Sequence, residues 1–169
     1  PLSKLIDRLE LHKLSLGFTV KAEVVSEAVK RLNMLAETFR KTVGVHVAAL
    51  YSRNGELITY AEDVGRHNAV DTIAGWLAMQ PPEAQPADPL FYTTGRLTSE
   101  MVLKAAQLGV PLVVSRSGIT QMGHELAQTL GVCTVGRATH RHFYCYSAPH
   151  RFVSQPELAM PSRVEGARP

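Results

Sequence analysis

Six short apolar runs, separated by turn signals or by stretches of helical periodicity, constrain this chain more than any other feature. They are VHVAALYS (45–52), ELITYAE (56–62), LFYTT (90–94), PLVVS (111–115), VCTVG (132–136) and HFYCYS (142–147). Runs of this length suit strands, whereas apolar residues recurring at three and four suit helices. Asn54-Gly55 between the first two runs predicts a hairpin. A helix is predicted at about 65–79, burying Ala69, Val70, Ile73 and Leu77. Two more follow, at about 98–108 closed by Gly109 and at about 120–130 ended by Gly131. Glycine suits the left-handed position at a helix C-terminus. This alternation predicts an α/β fold: a three-layer mixed sheet with helices on both faces, mixed because its first pair is a hairpin.

Upstream, Ala22, Val25, Val29, Leu32, Ala36 and Phe39 share one face of a predicted helix at 21–41. Residues 2–14 read as a short amphipathic, helical entry segment. The loop MQPPEAQPADP carries four prolines, which bar regular structure there. The tail from Ser154 lacks periodicity and is expected to be mobile. The chain therefore divides into an entry segment at 1–20, one folded domain at 21–153 and a tail at 154–169. Its 169 residues are one domain's worth.

Several function classes are excluded by composition and pattern. A net charge of +3 is too small for bulk nucleic-acid binding. No apolar run reaches the roughly 20 residues that cross a bilayer, and no signal peptide is recognisable, so no membrane partner and a cytoplasmic location are expected. The chain begins at Pro1 rather than Met, which suggests the C-terminal part of a longer protein. No G-x-G-x-x-G follows a first strand and no Walker-type lysine loop is present, against dehydrogenase and phosphate-loop readings. The H-x-E and P-C-x-x-C pair of zinc deaminases is also missing. The histidines of THRHFY have a spacing that a metal can use, but the alternation fits a loop entering a strand, and no metal is expected. Cys133 and Cys145 are too far apart for a Cys-x-x-Cys motif. Both lie in apolar runs, where inert buried thiols are expected, facing each other if those runs pair and reduced in a cytoplasm.

The positive pattern concerns arginine. Beyond Tyr51 the chain has nine arginines and one lysine, Lys104. Arginine's planar fork suits bidentate recognition of phosphate and carboxylate. Four strands are followed at once by Gly65-Arg66, Gly95-Arg96, Ser115-Arg116 and Gly136-Arg137. In open α/β sheets ligands bind outside the carboxyl ends of the strands, so four arginines are predicted on one rim. The small residue beside each lets the backbone approach a ligand. Three of the four lead into helix N-termini, whose free amides attract anions. Asp63 is the expected N-cap of the first of these helices and Thr98 or Ser99 of the second. Ser115, Ser117 and Thr120 add hydroxyl donors. His67 alone reads as a partner of Asp63 or Asp71. Together these residues predict a site for a multiply charged anion carrying several phosphates.

The stretches EDVGRHNAVD (62–71), TGRLTSEMVLKAA (94–106) and GVPLVVSRSGIT (109–120), with the TVG of the next strand, resemble the FdhD family of formate dehydrogenase accessory sulfurtransferases. TVGVHVAAL (42–50) fits that family's Thr-Gly-x-x-His pattern except that Val43 replaces a glycine. The resemblance implies a cytidine-deaminase-like fold without zinc and a homodimer. It implies transfer of sulfur from a cysteine desulfurase to the molybdenum bis-molybdopterin guanine dinucleotide cofactor of formate dehydrogenase, with GDP as a mimic of that ligand. It also implies a persulfide on a Cys-x-x-Cys loop, which this chain lacks, so the chain is expected to be the cofactor-binding part with no catalytic residue of its own. The residues implicated are Asp63, Arg66, His67, Arg96, Ser115, Arg116 and the segment Arg137, Ala138, Thr139, His140, Arg141 and His142. A non-catalytic guanine-nucleotide-binding regulatory or scaffold module is the rival expectation.

Overall fold

The computed structural model describes residues 14–15, 17–139 and 142–153. The predicted entry helix at 2–14 lies almost wholly outside these residues, as do the tail and two members of the predicted site, His140 and Arg141. The elements in chain order are β1 (Val20–Lys21), α1 (Ala22–Leu35), α2 (Glu37–Thr42), β2 (His46–Tyr51), β3 (Leu57–Asp63), α3 (Arg66–Ala78) and β4 (Leu90–Thr93). They continue with α4 (Ser99–Gln107), β5 (Leu112–Ser115), α5 (Gln121–Leu130), β6 (Cys133–Gly136), β7 (Tyr144–Ser147) and β8 (Phe152–Val153). No described helix is long and apolar enough to cross a membrane.

Six strands form one sheet in the order β3-β2-β4-β5-β6-β7. β2 runs antiparallel to β3 and β4, β4 to β6 are mutually parallel, and β7 returns antiparallel to β6. The strand period of two sorts the side chains onto opposite faces. Val47, Ala49, Tyr51, Leu90, Tyr92, Leu112, Val114 and Val135 pack with Val25, Val29 and Leu32 of α1. Ala48, Leu50, Phe91 and Val113 pack with Ala69, Val70 and Ile73 of α3, Val102 and Ala105 of α4, and Leu126 of α5. The predicted three layers and the buried face of α3 are therefore observed. Gly55 turns the β2–β3 hairpin with φ +83, and a side chain there would also strike Val24 at 2.6 Å.

The predicted helix at 21–41 is in fact two. Ala36 breaks it with ψ 84, and the Glu62 carboxylate of β3 then accepts hydrogen bonds from the amides of Thr38 (3.3 Å) and Phe39 (2.6 Å). The first-turn amides of a helix have no partner within it, so a carboxylate reaching them from another element stabilises a new start. α2 ends on Val43, which is left-handed at φ 52 and 74% exposed. That conformation costs an L-residue roughly 1–2 kcal/mol, and glycine's greater unfolded-state freedom offsets part of any relief. Val43→Gly should therefore raise stability by about 0.5–1 kcal/mol, read as a higher urea midpoint; a lower midpoint would refute the strain.

Further differences are local. The proline-rich loop contains one 3-10 turn, Pro82–Ala84, because Pro is compatible with the first position of such a turn. β1 and β8 form a two-residue parallel pair that periodicity could not signal. Cys133 is buried as expected, but Cys145 is exposed, because β7 is the sheet's edge.

Candidate anion-binding rim

β3, β4, β5 and β6 all point the same way, so the dipeptides that follow them reach the same end of the sheet. The arginine rim read from the sequence is therefore built as a placement. Arg96, Arg116 and Arg137 are exposed, whereas Arg66 is half-buried at the first position of α3. Arg137 is left-handed at φ 50.

Hydrogen bonds knit the strand-end loops together. The amide of Arg116 donates to Thr93 O (3.0 Å), that of Arg137 to Ser117 O (2.8 Å), and that of Ala138 to Ser115 O (2.9 Å). Ser115 is buried; its hydroxyl donates to Gly95 O at 2.6 Å and accepts from the amide of Ser117 at 2.9 Å. The hydroxyl of Ser117 donates to Thr94 O at 2.9 Å, and that of Thr120 accepts from the amide of Gly123 at 3.1 Å, capping α5. These hydroxyls hold the rim's shape and are occupied within the protein.

The small residues beside the arginines likewise make room for the protein itself. A side-chain carbon on Gly95 would stand 2.9 Å from Cβ of Arg66, so the stem of Arg66 lies across Gly95. One on Gly136 would stand 2.4 Å from the Tyr146 ring and 2.9 Å from Ser117 O. Gly136→Ala should destabilise the fold by about 1–3 kcal/mol through overpacking, measured by urea unfolding; an unchanged midpoint would show that Tyr146 moves freely.

Asp63 does not cap α3. Gly65 is the N-cap, and the Asp63 carboxylate accepts from the Gly65 amide (2.8 Å) and the Asn68 side chain (3.1 Å), fixing the turn before the helix. Thr98 is the N-cap of α4 as expected, but its hydroxyl makes no capping bond. His67 approaches neither Asp63 nor Asp71. Its Nδ1 lies 3.4 Å from the Glu100 carboxylate, which also lies 3.3 Å from Lys104, while Asp71 pairs with Lys104 at 2.7 Å. The His67 contact is close enough for ionic attraction to a protonated ring but makes no hydrogen bond. Nε of Arg66, Nδ1 of His67 and the Thr98 hydroxyl are all buried without a hydrogen-bond partner. Orphaned polar groups are costly and call for a ligand or water.

On the other side of the rim, the Arg116 guanidinium lies over the Phe39 ring, 5.2 Å from its centroid. Two clefts flank this pair. One, of about 320 Å³, is lined by Asn33, Phe39, Arg40, Val43, Arg116, Ala138 and Thr139. The other, of about 350 Å³, includes Gly44, His46, Thr94 and Ser117 beside Phe39, Val43 and Arg116. His46 Nδ1 lies 3.3 Å from the Thr94 hydroxyl, which accepts from the Val47 amide at 2.9 Å. Of the 137–142 segment, Ala138 is buried, and Thr139 is exposed with its amide donating to His142 O at 3.0 Å.

The FdhD/NarQ family model matches residues 2–153. The chain belongs to the FdhD/NarQ family. The sulfur carrier protein FdhD of Bacillus licheniformis is 35% identical over 135 residues, which are 80% of this chain and 50% of that relative. The protein of the same name from Sulfurisphaera tokodaii is 32% identical over 143 residues, 85% of this chain and 56% of the relative. A crystal structure from Desulfotalea psychrophila, described as a formate dehydrogenase accessory protein, superposes with a TM-score of 0.76 at 32% identity, covering 85% of this chain and 59% of the other. The chain thus spans about half the length of the curated relatives it matches.

Within this FdhD/NarQ domain, the sequence reading missed Asn33, Phe39, Arg40 and Val43 as cleft residues. Phe39 counted only as a member of an apolar helix face. Its partial exposure arises because the break at Ala36 swings its turn toward Arg116, and helical periodicity carries no signal for that.

Proposed function

We propose that this chain is the nucleotide-binding part of an FdhD-type accessory sulfurtransferase that makes formate dehydrogenase active, working in the cytoplasm as a homodimer on a cytidine-deaminase-like scaffold. Its substrate is the molybdenum bis-molybdopterin guanine dinucleotide cofactor, to which the protein passes sulfur received from a cysteine desulfurase. Family membership supports the sulfur-transfer role. The observation that carries the binding role is the convergence of Arg66, Arg96, Arg116 and Arg137 at one end of the sheet, with buried unpaired donors on one side and clefts around Arg116 and Phe39 on the other.

The chemistry of this donor set fits a nucleoside diphosphate. Several guanidinium groups on one rim repel one another, and a pyrophosphate neutralises them through charge-assisted, bidentate hydrogen bonds. A planar base suits the cleft walls formed by Phe39 and the guanidinium of Arg116, since both present flat faces. Cavities of this size fall within the usual range for small-ligand sites. Thr139, which lines the first cleft, would border the base or its ribose.

Calorimetric titration with GDP, GMP and inorganic pyrophosphate tests this reading. GDP should bind with favourable heat and GMP more weakly, because the second phosphate meets the rim. No heat with GDP, together with unaltered behaviour in Arg66→Ala and Arg96→Ala, would overturn the site.

A further inference from the structure

The chain's two cysteines, Cys133 and Cys145, lie outside the rim, on neighbouring antiparallel strands at the far edge of the sheet. Cys145 stands opposite Val135, so Cys133, two residues from Val135, is its diagonal neighbour on the same face. Their sulfurs are 3.9 Å apart. A disulfide bond is about 2.0 Å long, so roughly 2 Å remains to be closed. Closing that gap takes rotation of the Cys145 side chain away from Ser147 O, to which its thiol donates at 3.5 Å.

The two thiols differ in the way that an exchange reaction needs. Cys145 is exposed to reagents, whereas Cys133 is fully buried. The hydrogen bond between the two thiols holds Cys145 down at about 7, while the same bond and burial push Cys133 well up. A thiolate is the attacking species in exchange, and it is best when its pKa lies near the ambient pH.

We propose that Cys145 and Cys133 form a thiol–disulfide exchange site whose substrate is a small-molecule disulfide, with Cys145 the attacking residue and Cys133 the resolving one. The Cys145 thiolate attacks one sulfur of RS–SR. A Cys145–S–S–R bond forms, the original S–S bond breaks, and RS⁻ leaves with the electron pair. Cys133 loses its proton and attacks the Cys145 sulfur, expelling the second RS⁻. Both protein thiols are thereby oxidised to one disulfide, the reagent is reduced to two thiols, and these take up the protons the cysteines released.

The bond would close the segment from 133 to 145, which contains Arg137 and the cleft residues Ala138 and Thr139. Oxidation therefore pins the two strands that carry this loop. The exchange site does not depend on whether the rim binds a nucleotide.

Incubation of the chain with oxidised glutathione, followed by intact-mass and peptide analysis, tests the proposal. The wild type should lose two hydrogens, retain no glutathione and yield a peptide joined through Cys133 and Cys145. Cys133→Ser should accumulate one glutathione on Cys145, and Cys133→Ala should do the same if serine is poorly tolerated in the buried position. Cys145→Ser, at an exposed site, should keep its fold and remain unmodified. Iodoacetamide should alkylate Cys145 at a lower pH than it alkylates a free cysteine, because the neighbouring thiol holds its thiol below the ordinary range. A wild type that stays reduced or keeps a stable glutathione adduct, or a Cys145→Ser variant that reacts as fast as wild type, would overturn it.

Discussion

Arg116→Ala should weaken GDP binding by about 10-fold to 100-fold, the equivalent of one lost charge-assisted contact of about 1.5–3 kcal/mol. Arg116 is exposed; its backbone amide holds the neighbouring loop through Thr93 O and is kept in the variant, and its guanidinium packs on Phe39, a contact worth about 0.5–1 kcal/mol at an exposed site. The substitution should therefore lower stability by no more than about 1 kcal/mol, which separates loss of binding from loss of fold. Arg116→Lys should recover only part of the affinity. A lysine keeps the charge but loses both the planar fork and the face that packs on Phe39. Calorimetry checks the affinity. Full affinity in Arg116→Ala would remove the two clefts from the site and leave the Arg66 side of the rim as the remaining candidate.

Arg151→Met should destabilise the fold by about 2–4 kcal/mol, because two carbonyl groups lose a charged donor in a buried setting. Arg151 is only 3% exposed. Its Nε donates to Gly131 O at 3.0 Å, and its Nη1 donates to Ser15 O. Gly131 is the left-handed C-cap of α5, so this side chain ties the end of that helix to the segment that enters β1. Arg151→Lys should recover less than half of the loss, since one ammonium on a flexible stem cannot reproduce the forked geometry. Urea unfolding measures both variants. A change within about 0.5 kcal/mol, the range typical of surface substitutions, would show that the entry segment does not depend on this anchor.

Much of the fold was legible because side-chain period is a local property. The four apolar positions of α3, Ala69, Val70, Ile73 and Leu77, could be named from spacing alone, and all four are buried. Asn54-Gly55 specified the hairpin through the conformations its residues tolerate, and Gly131 marked a helix end for the same reason. The site was legible in a narrower sense. Four arginines after four strands could be placed on one rim because the alternation of strand and helix implies that those strands run the same way.

The failures share one physical cause. Asp63 has the side chain of an N-cap, but its carboxylate accepts from the amide of Gly65, two residues on, and Gly65 is itself the N-cap. Ser115 has a donor's composition, yet Gly95 O takes that donor. The long apolar face at 21–41 carries no sign of the break that lets Glu62 reach the amides of Thr38 and Phe39. In each case the deciding partner is one of several that composition allows, and packing selects it.

By itself, then, the sequence determined the three layers, the faces that turn inward and, through the alternation of strand and helix, the end of the sheet at which the arginines gather. These follow from periods of two and 3.6 and from the direction of successive strands. Only the tertiary structure decided which donors stay free, that Phe39 meets Arg116, and that an exposed Cys145 stands against a buried Cys133. Those outcomes depend on short-range forces between residues distant in sequence, and such forces act only after the layers have packed.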